Sequence, residues 1–546
     1  MRRFRIDGYV VSAWLLAACY AAVLWFTAPA IGFARDEGYY FKAARLYVSW
    51  VDEWSQEDAL SDKVILKHFD YNHEHPPLVK LTQGMLHKIL HEGLGVASSS
   101  QGFRAAGFLF GGLMLIATFY LGRYAFGSRE GLLASGLLAS MPRPFFDAHL
   151  ACFDIPMTAM WTWSLFTFIR AWGRARLDRA AWTAGIVLGL SLSTKLNALF
   201  LPFVFVLVWL ADPPTQLRPW RRRGPRGGME WVLPPVPRLL VRMAWVSALV
   251  FFASWPYLWH DPLGRVLTYL KFHLEHEHYP ISYFHQLLVA PPFPPSFPWV
   301  MTFFTVPSPI LILSGVGAGM AIAAIRRRPA VSVLLLSGAL LPIVLISLPN
   351  TPIFGGTKHW YTALPCLSIL AAQVATRGLT TLSAAVAHPA LRLSVSVAGV
   401  MLFCGPGVLG AMRTHPHGIA YYNELAGGVR GGAELGMQRA FWSTVAGPLY
   451  DEIPANARVF FNRTNHDSFL MLQEEGRLRP RVRYRSNVGG SSAALHFEQP
   501  EHGEMEAAIW QELGTRPTSG VYLDAVTLGQ LYIRGRSNRP PDAEEP

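Results

Sequence analysis

The chain has 546 residues, of which 51% are hydrophobic and only 15% charged. Soluble globular chains carry about 25% charged residues, so the deficit excludes an ordinary soluble enzyme and fits a chain largely buried in hydrocarbon, where charge is expensive. The net charge of +12 is spread over short basic loops between apolar runs, which is a record of membrane topology rather than a groove for nucleic acid.

The N-terminus, MRRFRIDGYVVSAWLLAACYAAVLWF, has the charge of a secretory signal. Its apolar run is long for one, and AIGFARDE is a weak cleavage site, so the segment 9–28 reads as a retained span. Further apolar segments long enough to cross lie near 104–122, 155–172, 239–258, 300–324, 331–349, 360–376 and 391–411, with a shorter one at 130–142. The run 181–210 would be about 45 Å long as one straight helix, well over a bilayer core. Arg170, Arg174, Arg176 and Arg179 precede it, and arginines from Arg218 to Arg226 follow. Both flanks are therefore expected in the cytoplasm, and the run crosses twice with its turn at STKLN.

Applied to Arg2, Arg3 and Arg5, Arg123 and Arg129, Arg326 to Arg328, and Arg377 and Arg392, the same rule predicts about eleven spans with a cytoplasmic N-terminus. The fold class expected is a polytopic all-α membrane domain over 1–411. Its loops 29–103, 143–154, 259–299 and 350–359 fall on the outer face. From 412 to 546 the composition becomes that of a soluble α/β domain, placed outside. ARVFF, RVRYR and GVYLDAV read as strands, HDSFLMLQEEG and EMEAAIWQELG as helices, and NRPPDAEEP as a disordered tail. None of the four cysteines follows Cys404, so the C-terminal region has no internal disulfide.

The polar residues worth chemistry collect on the outer side. Asp36 and Glu37 follow the first span in RDEGYY, where three readings fit: a solvated helix start, a metal site, or a catalytic base. Carboxylates are ionised at neutral pH, the form a base requires. NHEHPPLVKL supplies His75 in a stretch stiffened by prolines, then Lys80 in the first turns of a helix. Lys80 reads either as an interfacial anchor or as an anion-binding group. FFDAHLACFDIPM holds Asp147, His149 and Asp154, the last being either a helix cap or a functional acid. Lys195 sits among some thirty apolar positions; at a cost of about 3 kcal/mol it requires an anionic partner or ligand. GGTKHWYTALP places Lys358 and His359 at the outer mouth of a span. KFHLEHEHYP offers His273, His276 and His278 as weak metal candidates, against a solvated amphipathic helix.

Carboxylates and cations meeting at an outer membrane face suit transfer of a sugar from a polyprenyl-phosphate carrier to an acceptor hydroxyl. A carboxylate would deprotonate the acceptor while cations stabilise the departing phosphate.

At this point the chain resembles the polytopic GT-C glycosyltransferases, in particular the protein O-mannosyltransferase and aminoarabinose-to-lipid-A transferase group. The resemblance is carried by RDEGYYFKAARLY, HPPLVKL, ACFDIPM, GLSLSTKLNAL, KHWYTALPCL and HPHGIAYYNELAGGVRGG, in that order over roughly 1–440. It implies an inverting, mannosyltransferase-like enzyme of a plasma or bacterial inner membrane, with the C-terminal domain periplasmic. Its donor would be a polyprenyl-phosphate sugar and its acceptor lipid A, a glycan or a protein. Asp36 takes the position of the catalytic base with Glu37 beside it, and Asp154 that of the second acid. His75, Lys80, Lys195, Lys358 and His359 are the expected donor-phosphate contacts. A divalent metal (Mg, Mn or Ca) does not transfer, since some members bind one and others show none. The chain departs from the pattern after YNELAGG, where Trp442 is followed by serine. The competing readings are a transporter or flippase of a lipid-linked sugar, which would spread ionisable residues through both leaflets, and a non-catalytic membrane scaffold, which leaves Lys195 unexplained.

Overall fold

The computed structural model describes residues 7–173, 178–213, 222–223, 229–230, 236–353, 355–440, 442–497 and 503–535. The expected cytoplasmic arginines Arg2, Arg3, Arg5, Arg174, Arg176, Arg218, Arg221 and Arg226, and the tail from 538, lie outside the described residues.

Long apolar helices dominate the first 414 residues. Gly8–Thr27 is capped by Asp7, whose carboxylate accepts from Tyr9 N at 3.0 Å. Ser99–Ala125 is capped by Ser98, and at 27 residues it reaches about 40 Å. It is the central post of the bundle, with Gly8–Thr27, Leu78–His87, Ser128–Ala139 and Asp154–Ala171 packed around it. Among the described residues four helices are long and apolar enough to cross a membrane unaided: Gly8–Ala30, Ser99–Ala125, Pro329–Ile346 and Pro389–Thr414. Three shorter apolar helices, Arg179–Leu192, Leu196–Ala211 and Ser308–Ala324, accompany them.

Two breaks account for these shorter helices. The run 181–210 is divided, as expected, at Ser193–Lys195, between Asp178–Leu192 and the 3₁₀ turn that leads to Leu201–Ala211. The segment expected to cross as one piece at 300–324 is broken at Val306–Pro307 into Phe297–Thr305 and Ser308–Ala324. A proline there has no N–H to continue the first helix but is well placed to open the next. Pro389–Thr414 lies at the periphery, with Leu391, Leu393, Met401, Leu402 and Met412 all exposed, as expected of a helix solvated by lipid.

The C-terminal sheet has five strands in the order Arg483–Arg485, Arg458–Phe461, Ala493–His496, Val526–Ile533, Ser519–Leu523. The first three pair in parallel, and the last two are antiparallel additions. Helices His466–Glu474 and Gly503–Leu513 complete this region. Two strands escaped the sequence reading. Ala493–His496 is buried at every position and so lacks alternation. GVYLDAV is a strand and half a hairpin, because Asp524 and Ala525 turn the chain at φ 48° and 62° into Val526–Ile533.

One face of the sheet closes a small core of its own, with Phe460, Ala494 and Tyr532 against Ile509 and Leu513 of the helix Gly503–Leu513. The other face packs on the N-terminal half. Val445, Leu449, Val459, Phe461, Leu472, Leu495 and Leu531 pack in one cluster with Phe33, Phe41, Phe103 and Ala151 from the N-terminal half. All four cysteines are free.

Candidate active site

Past the first span the chain runs extended to Ala34 and then enters the helix Arg35–Asp52, which puts Asp36 and Glu37 in one first turn. The two acids part company there. Glu37 is fully buried and both its oxygens are taken. Arg104 Nε and one terminal nitrogen donate to them at 2.7 Å each, Ala34 N at 2.8 Å and Ala151 N at 2.9 Å. Arg104 also donates to the carbonyls of Ala28, Ile31 and Gly32. Glu37, expected beside Asp36 as a catalytic acid, is instead a staple that fixes the exit from the first span.

Asp36 faces the other way. Its side chain is 27% exposed and meets Lys358 Nζ at 3.5 Å. Lys358 stands at the start of the 3₁₀ turn Lys358–Ala363. Gly355 makes room for it: at φ +79°, a Cβ there would lie 2.4 Å from Lys358 Cε. Burial works against the Lys358 ammonium, but Asp36 and then Asp154 hold its pKa above the ordinary lysine value.

Asp154 opens the helix Asp154–Ala171 without capping it; Phe153 is the N-cap, and no side-chain cap is made. Instead Asp154 Oδ1 accepts from Lys195 Nζ at 2.7 Å, with both side chains largely buried. Lys195 is the extended residue between the two halves of the 181–210 run, and Asp154 is the anionic partner its position demands. Asn197 donates to the His359 carbonyl at 3.2 Å and so joins the Lys195 turn to the Lys358 turn. His359 lies within electrostatic reach of Asp154.

Asp147, noticed in the sequence but given no role, belongs to the same network. It is buried, accepts from the Tyr361 hydroxyl at 2.5 Å, and feels both Asp154 and Lys358. Burial pushes its pKa up to about 7 against the Tyr361 hydrogen bond, with Asp154 adding to the rise. The folded chain therefore keeps a proton that the unfolded chain has already released, over the window from the ordinary carboxylate value to about 7. Stability should fall as pH rises through that window and level off above it. Asp147→Asn should abolish the slope, which unfolding midpoints at about pH 5 and pH 7.5 will read. An equally sloped variant would refute this assignment.

His75 and Lys80 sit differently from each other. The ring of His75 packs against Phe153 at 4.7 Å, and Tyr40 lies 3.4 Å from its Nε2, while its Nδ1 is buried without a partner. Burial first, then His273, Lys195, Lys80 and Lys358, push its pKa well below the ordinary value. It is a neutral imidazole that offers a hydrogen bond rather than a charge. Lys80, expected to contact phosphate, is wholly buried and donates to Tyr47 Oη, Asn72 O and His75 O at 2.5–2.8 Å. Two of these contacts go to the 72–75 loop and one to Tyr47, and burial drives its pKa well below the usual lysine value. Through the His75 carbonyl it holds the loop that carries His75.

The histidine ladder dissolves. The helix Pro262–Leu274 ends before His276 and His278, so only His273 is on it. His273 Nε2 lies 2.9 Å from the Glu74 carbonyl, His276 Nδ1 is 2.6 Å from the Glu277 carbonyl, and His278 packs on Phe293. Among the described residues no three His, Cys, Asp or Glu side chains gather as a metal would need. These three residues, each turned to a different partner, do not fit a metal site.

What converges, then, is a partly exposed carboxylate (Asp36), a second acid (Asp154), two lysines (Lys358, Lys195) and an imidazole (His75), brought together from five separate stretches of chain. Such a set can take a proton from a hydroxyl beside groups able to bind a phosphate.

Comparison with known proteins finds the following similarities. Residues 74–240 match the family model described as dolichyl-phosphate-mannose-protein mannosyltransferase. That stretch contains His75, Lys80, Asp154 and Lys195, and over it the match bears out the resemblance the motifs carry to membrane glycosyltransferases. Among solved structures the chain is similar to ArnT from Cupriavidus metallidurans in the apo state, at 14% identity over 96% of this chain and 99% of that one, TM-score 0.48. It is also similar to the Archaeoglobus fulgidus oligosaccharyltransferase in the apo form, at 13% identity, 88% and 65% coverage and TM-score 0.49. A third is the arabinofuranosyltransferase AftD from Mycobacteria, at 12% identity, 96% and 40% coverage and TM-score 0.42. No curated protein matches the chain in sequence.

Proposed function

We propose that this chain is an integral-membrane glycosyltransferase that moves a sugar from a polyprenyl-phosphate donor to an acceptor hydroxyl on the extracytoplasmic face. The observation that carries the reading is the coupled pair of ion pairs, Asp36–Lys358 and Asp154–Lys195, at the outer ends of spans. Asp36 is the base: it takes the acceptor proton as the acceptor oxygen bonds to the anomeric carbon. The bond from that carbon to the phosphate oxygen breaks, and its electron pair leaves with the polyprenyl phosphate. Single displacement of this kind inverts the anomeric centre. Lys358 and Lys195 stabilise the charge growing on the phosphate, His75 donates a hydrogen bond to it, and His359 completes the cationic side. Asp154 orients Lys195. The membrane domain is 1–411, and 412–546 is an extracytoplasmic domain. The acceptor is a lipid, glycan or protein hydroxyl.

The test supplies purified protein with a panel of radiolabelled polyprenyl-phosphate sugars and a membrane extract as acceptor, and follows release of free polyprenyl phosphate. Release with one donor supports the reading and names the sugar. No release with any donor, together with movement of donor across liposome bilayers, would replace it with a transporter.

A further inference from the structure

Asn465 joins the C-terminal region to the turn that carries Asp36. It is the N-cap of the helix His466–Glu474, where its Oδ1 accepts from Ser468 N at 2.7 Å. Its Nδ2 donates to the carbonyl of Arg35 at 2.6 Å, the peptide immediately before Asp36. One amide thus caps its own helix and grips the first residue of another. Both tasks need an acceptor and a donor on one short side chain, which asparagine has and aspartate lacks.

The fit around this bridge is tight. A Cβ on Gly38, two residues beyond Asp36, would lie 2.1 Å from Asn465 Oδ1 and 2.5 Å from Ser468 N. Around it the same helix is tied to the outer loop at three further points. Tyr71 donates to Asp467 at 3.1 Å, Arg45 to Glu474 at 2.7 Å, and Ser100 N to Glu475 at 2.7 Å. The extended segment before Asp36 is held from the same side, by Ser443 Oγ donating to Phe33 O at 2.7 Å and Gly32 N to Thr444 O at 3.2 Å. The Arg45–Glu474 pair is exposed and such pairs contribute little. The buried amide bridge and the glycine contact are what set the position of the turn.

We propose that Asn465 is a positioning residue for Asp36, and that the C-terminal region acts on the reaction through it. The Asp36 turn is gripped by Lys358 from one element and by Asn465 from another, so its carboxylate has one direction in which to meet the acceptor. This rests on the reading of Asp36 as the base.

Asn465→Asp keeps the size and the capping oxygen, removes the donor to Arg35 and sets an anionic oxygen against that carbonyl. Two measurements on the full-length protein in detergent test it. In hydrogen exchange, peptides covering 35–41 should exchange at least about tenfold faster in Asn465→Asp, while peptides covering 466–474 stay as in wild type. Gly38→Ala, which wedges the same contact from the other side, should reproduce the first effect. In the transfer assay, kcat should fall at least about tenfold with KM for the donor within about twofold, as misplacement of a reacting group requires. Unchanged exchange over 35–41, or a kcat equal to wild type, would overturn the proposal. Loss confined to 466–474 would also overturn it, because a mere helix cap would behave so. Should wild type transfer no sugar at all, the enzyme reading falls, and the exchange arm still decides whether Asn465 holds the Asp36 turn.

Discussion

Asp36→Asn should lower sugar transfer by at least about a hundredfold, the scale of a lost general base, in a protein that still folds. The fold should survive because asparagine has the same shape, and because the carboxylate is partly exposed and meets Lys358 at 3.5 Å. Lys358 in the variant still faces Asp154 and Asp147, so no buried cation is stranded. An amide in place of the carboxylate cannot take the acceptor proton, whereas the proposed donor contacts Lys195, Lys358 and His75 are left in place. The defect should therefore fall on kcat and leave KM for the donor nearly unchanged. The measurement is turnover against donor concentration, with the unfolding midpoint of each protein as control. Equal kcat in the two proteins would remove Asp36 from the chemistry.

The second large effect is on stability. Glu37→Gln leaves Arg104 buried without its counter-charge, and breaking a buried pair from one side costs about 3–5 kcal/mol. The pair is deep, with Arg104 2% and Glu37 0% exposed. Replacing both residues, as in Glu37→Met with Arg104→Met, removes the unpaired charge but strands Ala34 N, Ala151 N and the carbonyls of Ile31 and Gly32, so it should not restore wild-type stability. Detergent-solubilised protein unfolded by denaturant reads the three free energies. A Glu37→Gln protein as stable as wild type would show that the pair is not holding the span exit. The contrast between neighbours is then complete: Asp36 variants should fail in catalysis, Glu37 variants in folding.

The sequence made these neighbours look alike. Asp36 and Glu37 are adjacent, acidic and juxtamembrane, and only the helical rotation of about 100° between successive residues sends one toward Lys358 and the other toward Arg104. Lys80 misled for a similar reason. In sequence it is a cation at a membrane edge; in the fold it is enclosed by Tyr47, Asn72 and His75. Lys195 was legible, because a lysine inside an apolar run must find an anion. Asp154 as that anion was not legible, since the two are 41 residues apart.

What the chain fixed locally was its partition into apolar helices and a polar C-terminal sheet, the break at Lys195, and the stretches that hold chemistry. These follow from hydropathy, charge and proline, each of which acts through near neighbours. The pairing of Asp36 with Lys358, the burial of Glu37 and Lys80, the scattering of the histidines after Leu274, and the grip of Asn465 on the Asp36 turn were decided by tertiary structure alone. Each depends on which distant backbone arrives beside a side chain. A fully paired buried charge and a working charge carry the same letter, and differ only in what surrounds them.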